Sequence, residues 1–526
     1  MNASSAPSAG PPTSGSGTPT TPGAHTTAAT TSGTATTSGT ATTSGTAADT
    51  RLAARTLGVK ELVFLIIAAS APLTVLAGGA TTSFAVTGDL GVPVGYLVLG
   101  AVLIFFAIGY GRMGSFVRNA GAFYAYISTG IGTRLGIGAS FLAMAAYNAM
   151  QIGLYGIFGF VTASFINDKL GTSLPWWACA LAALIVVAVL GVRKVDLSAS
   201  VLAIIVSLEF LVVIIVSAIS LAVAPEGLSA EPFLPEHWLT GSLGTLLAFG
   251  IAAFMGFESG AIYSEETKDP QRSVSKATFI AVAIIGGFYA LSAWAFAMGV
   301  GPSQIIAGSQ ELGPDLMFAF LGEYVPVVFT DIAFILFVTS IFAALMAFHN
   351  AAARYFFSLG RARVLPAWLG HTGARTQAPV AGSLTQSGLA VVFIIVFALA
   401  GMGSELGPLF PVLTMFTWLT NTAAFGMVLL LCLTSLAVIG YFRTRTGAHP
   451  AFVRLWAPII ATLGLGIVFV LIMLNFDAMI DAEGSPLTWI LPGAMVGTGL
   501  IGLAWGQYLK SRRPDIYEAL AEANIG

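Results

Sequence analysis

The chain has 526 residues, of which 56% are hydrophobic and 9% charged, with a formal net charge of −2 and a mean hydropathy of +0.87. Soluble domains carry roughly a quarter charged residues, so this composition excludes an ordinary soluble enzyme. Without a basic surplus it also gives no footprint for nucleic acid.

Residues 1–50 are low complexity, and the hexamer Ala-Thr-Thr-Ser-Gly-Thr starts at Ala29, Ala35 and Ala41. Such a stretch cannot bury enough apolar area to offset its ordering entropy. It is expected to be a disordered cytoplasmic tail. The polar start and the long first apolar segment do not read as a cleavable signal peptide. About 20 apolar residues cross the hydrocarbon as a helix. The pattern predicts twelve spans: 62–87, 93–115, 138–164, 174–192, 199–223, 243–263, 277–300, 325–349, 380–400, 408–440, 456–476 and 487–508. Cys179 and Cys432 fall inside spans and read as packing residues.

Span 1 is broken by Ser70-Ala71-Pro72-Leu73-Thr74 and then Gly78-Gly79. Span 6 is broken by Phe254-Met255-Gly256-Phe257-Glu258-Ser259-Gly260. Lipid cannot hydrogen-bond backbone, so a spanning helix unwinds only where protein or a watery cavity surrounds it. Matching breaks in two halves are the best sequence pointer to a substrate site at mid-membrane. Glu258, a carboxyl in mid-span, is functional by default. Three roles suit it: holding the unwound backbone of span 1 in place, carrying a proton, or serving as a structural hydrogen-bond acceptor at its own kink. Glu265 and Glu266, near Lys268 and Arg272, are expected to form a solvated loop network.

All but one of the 22 lysines and arginines fall on one side of the alternating topology, Lys169 being the exception. The cytoplasmic side takes positive loops, so both termini are expected to be cytoplasmic in a multi-pass protein of the cell membrane. The spacing also suggests duplication, since starts at 62, 93 and 138 are echoed at 243, 277 and 325. Five spans per unit make the repeat inverted. The expected organisation is a first repeat at 51–223, a second at 224–442, spans 11 and 12 at 443–508 and a C-terminal tail at 509–526.

Three stretches resemble signatures of the amino acid–polyamine–organocation superfamily. They are Phe254 to Arg272, Asn119-Ala120-Gly121-Ala122-Phe123-Tyr124-Ala125-Tyr126, and His349-Asn350-Ala351-Ala352-Ala353-Arg354-Tyr355-Phe356 with Leu359-Gly360-Arg361 and Leu365-Pro366. They occur in the expected order, and the resemblance covers about residues 55–515. Within the superfamily, Ala71-Pro72-Leu73-Thr74 is similar to a branch of bacterial amino acid permeases. The resemblance implies an all-α integral membrane protein of twelve helices. The implied fold is the leucine-transporter type, a 5+5 inverted repeat with helices 1 and 6 discontinuous. It also implies a zwitterionic substrate.

A half-helix beginning inside the membrane offers free amides and a positive dipole end. The segment opened by Pro72, namely Leu73, Thr74, Val75, Leu76 and Ala77, would present these to a carboxylate. Carbonyls near Ala71, Ala253, Phe254 and Gly256 would accept from an ammonium. Selectivity is expected from Phe254, Phe257, Tyr147 and Gln151. Some members carry an aromatic lid where this chain has Ala252, which leaves two readings: a lid formed by Phe254, or a lid that differs in timing. Some proton-coupled members carry a Lys in span 5, near which this chain has Glu209, so that Lys role does not transfer. Intramembrane carboxyls serve in proton relays, which makes Glu209 and Glu258 the proton-coupling candidates. Thr339 and Ser340 stand where sodium-coupled relatives by fold bind their ion; hydroxyls back-bonded to the previous turn are the alternative. Asp331, further out on span 8, lines an outer vestibule or caps a loop.

The combined reading is a secondary active transporter, symporter or antiporter, importing amino acids or closely related amines by alternating access. Its coupling ion is H+ or Na+, with proton favoured. Its partners are the solute, the ion and the bilayer. The alternatives are a polyamine or organocation permease or exchanger, and a non-transporting amino acid sensor. No cofactor or enzymatic activity is expected, because no nucleophile–base pair, metal-spaced cluster or phosphate loop occurs.

Overall fold

A computed structural model describes residues 57–523, apart from 115, 118–121, 194–198, 241, 262, 264, 265, 374, 375, 445–449 and 483. The low-complexity tail, the Asn119-Ala120-Gly121 stretch and Glu265 lie outside the described residues. Among the described residues, twelve helices are long and apolar enough to cross a membrane. Spans 1 to 6 are Val59–Thr87, Val92–Gly114, Thr133–Leu170, Trp176–Arg193, Ala203–Val223 and Leu243–Ala261. Spans 7 to 12 are Arg272–Val300, Val327–Arg361, Val380–Ala400, Gly407–Arg443, Phe452–Leu474 and Leu487–Arg512.

Spans 3 and 8 are longer than their apolar cores predict. Span 3 has 38 residues, about 57 Å at 1.5 Å per residue, against a hydrocarbon thickness of about 30 Å. Hydropathy marks only the part in lipid, and tertiary packing keeps the ends helical. The end of span 8 is buried from Ala351 to Gly360 beneath the short turn Ala367–Gly370. Short helices at Ala122–Gly130, Ile305–Leu312, Asp315–Tyr324 and Pro514–Ala523 also escape a hydropathy reading.

Spans 2 and 7 form the closest helix pair around the breaks. A Cβ placed on Gly100 would stand 3.3 Å from the Gly286 Cα and 3.7 Å from the tip of the Phe254 ring. Small residues let membrane helices approach where no hydrophobic force separates helix from lipid. The fully buried Phe254 ring is wedged against that crossing.

The face carrying the basic loops is tied together around the start of span 1. Leu57 N–H donates to the Glu266 carbonyl at 3.2 Å, and Lys268 N–H donates to the Leu57 carbonyl at 2.9 Å. Glu266 is not solvated as expected. It is 6% exposed and pairs with Arg354 of span 8, Nη2 to Oε1 at 2.8 Å and Nε to Oε1 at 2.9 Å. Lys268 and Arg272 are its neighbours in sequence, but pairing with Leu57 turns the segment inward beneath span 8. On the opposite face, Lys169 pairs with Asp331 at 2.9 Å, joining the far ends of spans 3 and 8.

Candidate functional site

The first break is abrupt. Span 1 runs as α-helix from Val59 to Ser70, and Ala71 adopts the left-handed conformation with φ +49°. Pro72 then opens a new helical turn. Proline has no N–H and clashes with the preceding turn, so the helix cannot run through it. The segment Val75–Ala80 continues as π-helix before α-helix resumes at Thr81. Such π turns cluster at functional sites. The Ser70 hydroxyl bonds the Ile67 carbonyl at 2.9 Å and the Tyr289 hydroxyl at 2.7 Å, which anchors the broken end to span 7.

The second break is held by its own carboxylate. Span 6 is helical from Leu243 to Phe254, and Gly256 has φ +101°. L side chains rarely adopt that conformation. The Glu258 carboxyl is fully buried; it accepts from Gly256 N–H at 3.1 Å and from the Tyr147 hydroxyl at 2.5 Å. Tyr110 donates to the Glu258 carbonyl at 3.1 Å. Glu258 therefore braces its own break and joins it to span 3, rather than reaching the backbone of span 1. The Gly256 carbonyl already accepts from Ser259 N–H at 3.0 Å.

The breaks stand back to back. A Cβ on Gly256 would lie 2.5 Å from the Ala69 Cβ. Gly256→Ala combines that clash with a strained φ, which costs about 1–3 kcal/mol by itself. The expected result is a clear drop in the melting temperature of the purified protein and loss of solute binding. Unchanged melting and binding would mean that the two breaks tolerate separation.

A cavity of about 100 Å³ lies against the breaks, room for several waters or a compact solute. Span 1 contributes Ala69, Ser70, Ala71, Thr74, Val75, Gly78, Gly79 and Thr82, and span 6 contributes Phe249, Ala252 and Ala253. Met150 and Leu154 come from span 3, Ala344 and Phe348 from span 8, and Phe416, Thr417, Thr420 and Asn421 from span 10. Among the described residues no Asp, Glu, Lys or Arg lines it. From Ala69, Ser70 and Ala71 at the break in span 1 the lining continues past it to Thr82, and its span 6 residues all precede the break in that span. The cavity thus extends toward the face opposite the basic loops.

Of the residues singled out in sequence, Ala71, Thr74, Val75 and Ala253 line this cavity. Pro72, Leu73, Leu76, Phe254, Gly256, Phe257, Glu258, Tyr147 and Gln151 are buried around it without lining it. Phe257 packs edge-on to Phe106, and Tyr147 stacks on Tyr355. Gln151 joins a buried polar network: its amide nitrogen meets His349 Nδ1 at 3.1 Å, its carbonyl accepts from Gln386, and His349 Nε2 meets the Ser383 hydroxyl at 2.8 Å. Phe249, Phe348, Phe416 and Asn421 were not singled out. The polar run Thr417, Thr420, Asn421 and Thr422 inside span 10 was the available signal for that wall.

Glu209 of span 5 reaches the start of the second half of span 1. It is 1% exposed, and Oε2 accepts from the Ser340 hydroxyl at 2.7 Å. Thr74 donates to the same Ser340 oxygen at 3.1 Å. Oε1 of Glu209 has no hydrogen-bond partner among the described residues. The Thr339 hydroxyl bonds back to the Leu336 carbonyl at 2.9 Å. Of the paired hydroxyls, then, one serves its own helix and the other links Glu209 to a cavity-lining threonine.

The sequence profile of the family described as Amino acid permease matches residues 57–501. The low-affinity putrescine importer PlaP of Escherichia coli (strain K12) is 24% identical over 434 residues, covering 79% of this chain and 88% of that protein. The branched-chain amino acid permease BcaP of Bacillus subtilis (strain 168) is 25% identical over 440 residues, covering 79% of this chain and 87% of that protein.

Proposed function

The chain belongs to the amino acid permease family, and from that premise we propose that it is a secondary active importer of amino acids with small apolar side chains. The observation that carries the substrate class is the cavity at the two breaks, which holds hydroxyls, an amide and aromatic rings but no charged side chain among the described residues. A zwitterion needs no counter-charge there. The dipole end after Pro72 suits its carboxylate, and the carbonyls at the end of the span 6 half-helix suit its ammonium. A diamine presents two ammonium groups and no carboxylate. Without an acidic side chain in the cavity, its desolvation goes uncompensated. This favours the amino acid over the polyamine reading, although a putrescine importer is among the relatives.

Transport proceeds by alternating access. The basic loops face the cytoplasm, the two five-helix units are inverted repeats, and the cavity faces outward while the Leu57–Glu266–Arg354 contacts close the inner side. Coupling is to protons through Glu209. Its carboxyl and the substrate carboxylate compete for the same positive half-helix end, so the substrate binds best when Glu209 is protonated.

Uptake by purified protein in liposomes tests this. With an inward proton gradient, labelled alanine, valine or leucine should accumulate, and excess unlabelled putrescine should compete at least tenfold more weakly. Putrescine accumulation without amino acid uptake would overturn the substrate class. Amino acid binding without flux under any imposed gradient would identify a sensor instead.

A further inference from the structure

We propose that a groove on the basic face binds the phosphodiester headgroup of an anionic phospholipid. The groove lies between the end of span 2 and the starts of spans 7 and 11, and encloses about 470 Å³. Arg112, Arg272 and Lys276 line it, and among the described residues no carboxylate does. Arg272 and Lys276 are exposed and form no ion pair among the described residues. Two exposed cations, Arg272 and Lys276, held one turn apart in a groove are electrostatically unfavourable unless an anion joins them.

The walls are held at close quarters. A Cβ on Gly109 of span 2 would stand 2.8 Å from Pro458 at the start of span 11. Two residues on, Gly111 lies directly against Ser275 of span 7. Span 2 is thus the floor, with span 7 on one side, span 11 on the other, and Arg112 at its head. The packing of three helices shapes the groove, so it is not merely a set of mobile surface lysines.

Its depth in the membrane favours a lipid over a soluble anion. Arg112 lies in the last turn of span 2, and Arg272 and Lys276 lie in the first two turns of span 7. This is headgroup level. Apart from Ser275 the rest of the lining is apolar, with an exposed Phe279 on span 7 and Val453 on span 11. Phe452 and Trp456, exposed at the start of span 11, mark the aromatic belt of the same interface. Basic pockets between helices on the cytoplasmic side suit such headgroups. The phosphodiester would sit among the three cations, and its acyl chains would run along Phe279 and Val453.

The test uses the full chain in detergent with phosphatidylglycerol, phosphatidylcholine or inorganic phosphate added separately. Retained lipid is read by native mass spectrometry and stabilisation by thermal melting. Phosphatidylglycerol should be retained and raise the melting temperature, and phosphatidylcholine and phosphate should do neither. The double variant Arg272→Gln/Lys276→Gln changes exposed positions and should cut phosphatidylglycerol retention at least tenfold. The control Lys510→Gln/Arg512→Gln removes two charges from the same face and should leave retention unchanged. Equal retention in both double variants would overturn the site. Equal effects of phosphatidylcholine would reduce it to nonspecific lipid contact. Stabilisation by inorganic phosphate alone would assign the groove to a soluble anion and overturn the lipid.

Discussion

Replacing Glu209 with Gln is expected to leave a folded protein whose uptake no longer responds to a proton gradient. Gln keeps the size of the side chain and a carbonyl oxygen for the Ser340 hydroxyl, so the link through Ser340 to Thr74 survives. What it loses is the exchangeable negative charge at the start of the half-helix. Under the proposed coupling, proton and substrate assist one another through that charge. Reciprocal couplings between sites are typically about 1–3 kcal/mol, or about 5–150-fold in affinity. The sign follows. On that proposal, acidification should neutralise Glu209, free the dipole end and tighten binding of a substrate carboxylate, and alkaline conditions should weaken it. The variant should bind at alkaline pH as tightly as the native protein does in acid, should exchange substrate across the membrane, and should lose at least tenfold of its gradient-driven accumulation. The measurement is substrate affinity and liposome uptake from pH 5 to 8 in both proteins. A variant that retains the native pH profile would remove Glu209 from coupling.

Replacing Arg354 with Ala should open the basic face. Arg354 and Glu266 are both almost wholly buried and share contacts at 2.8 and 2.9 Å, with the guanidinium 4.5 Å from the centre of the Tyr263 ring. Removing one partner of a buried pair strands the other, at about 3–5 kcal/mol. That cost falls on the closed state, because water would hydrate Glu266 once the face opens. The equilibrium should therefore move toward an inward-open form. A cysteine at Ser259, 5% exposed and just beyond the second break, reports this in a background where Cys179 and Cys432 are replaced. Its labelling from the basic side should accelerate at least tenfold. The neutral pair Arg354→Gln/Glu266→Gln should restore most of the thermal stability while labelling stays faster than in the native protein. A lower melting temperature with unchanged labelling would make the pair a fold staple with no part in closure.

Much of the architecture was legible because lipid is a demanding solvent. Twelve apolar segments of spanning length stand out from composition alone, and the expected Val380–Ala400 span matches the helix end to end. The two breaks were legible for the same reason, since Pro72 cannot continue a helix and a Phe-Met-Gly-Phe-Glu run inside lipid demands a special backbone. The short helices between spans were not legible, because their apolar faces pack on neighbours distant in sequence. Glu266 was misread for a related reason. Its charged neighbours in the chain suggested water, yet its partner Arg354 lies 88 positions away.

The site divides along the same line. Backbone chemistry at the breaks is local, so Ala71, Thr74, Val75 and Ala253 could be named from sequence, and all four line the cavity. Side-chain direction is not local. Phe254 lies two residues from the cavity-lining Ala252, yet its ring turns toward Gly100 and Gly286. The Phe249 ring takes a place on the cavity instead. The amino-acid sequence by itself determined that this chain crosses a membrane twelve times and that two crossings are interrupted, because hydrogen bonding and hydropathy in lipid act residue by residue. Only the tertiary structure decided which rings line the cavity, that Glu209 meets the half-helix through Ser340, and that Arg354 seals Glu266 inside. Those outcomes depend on which helices come within a few ångströms of one another.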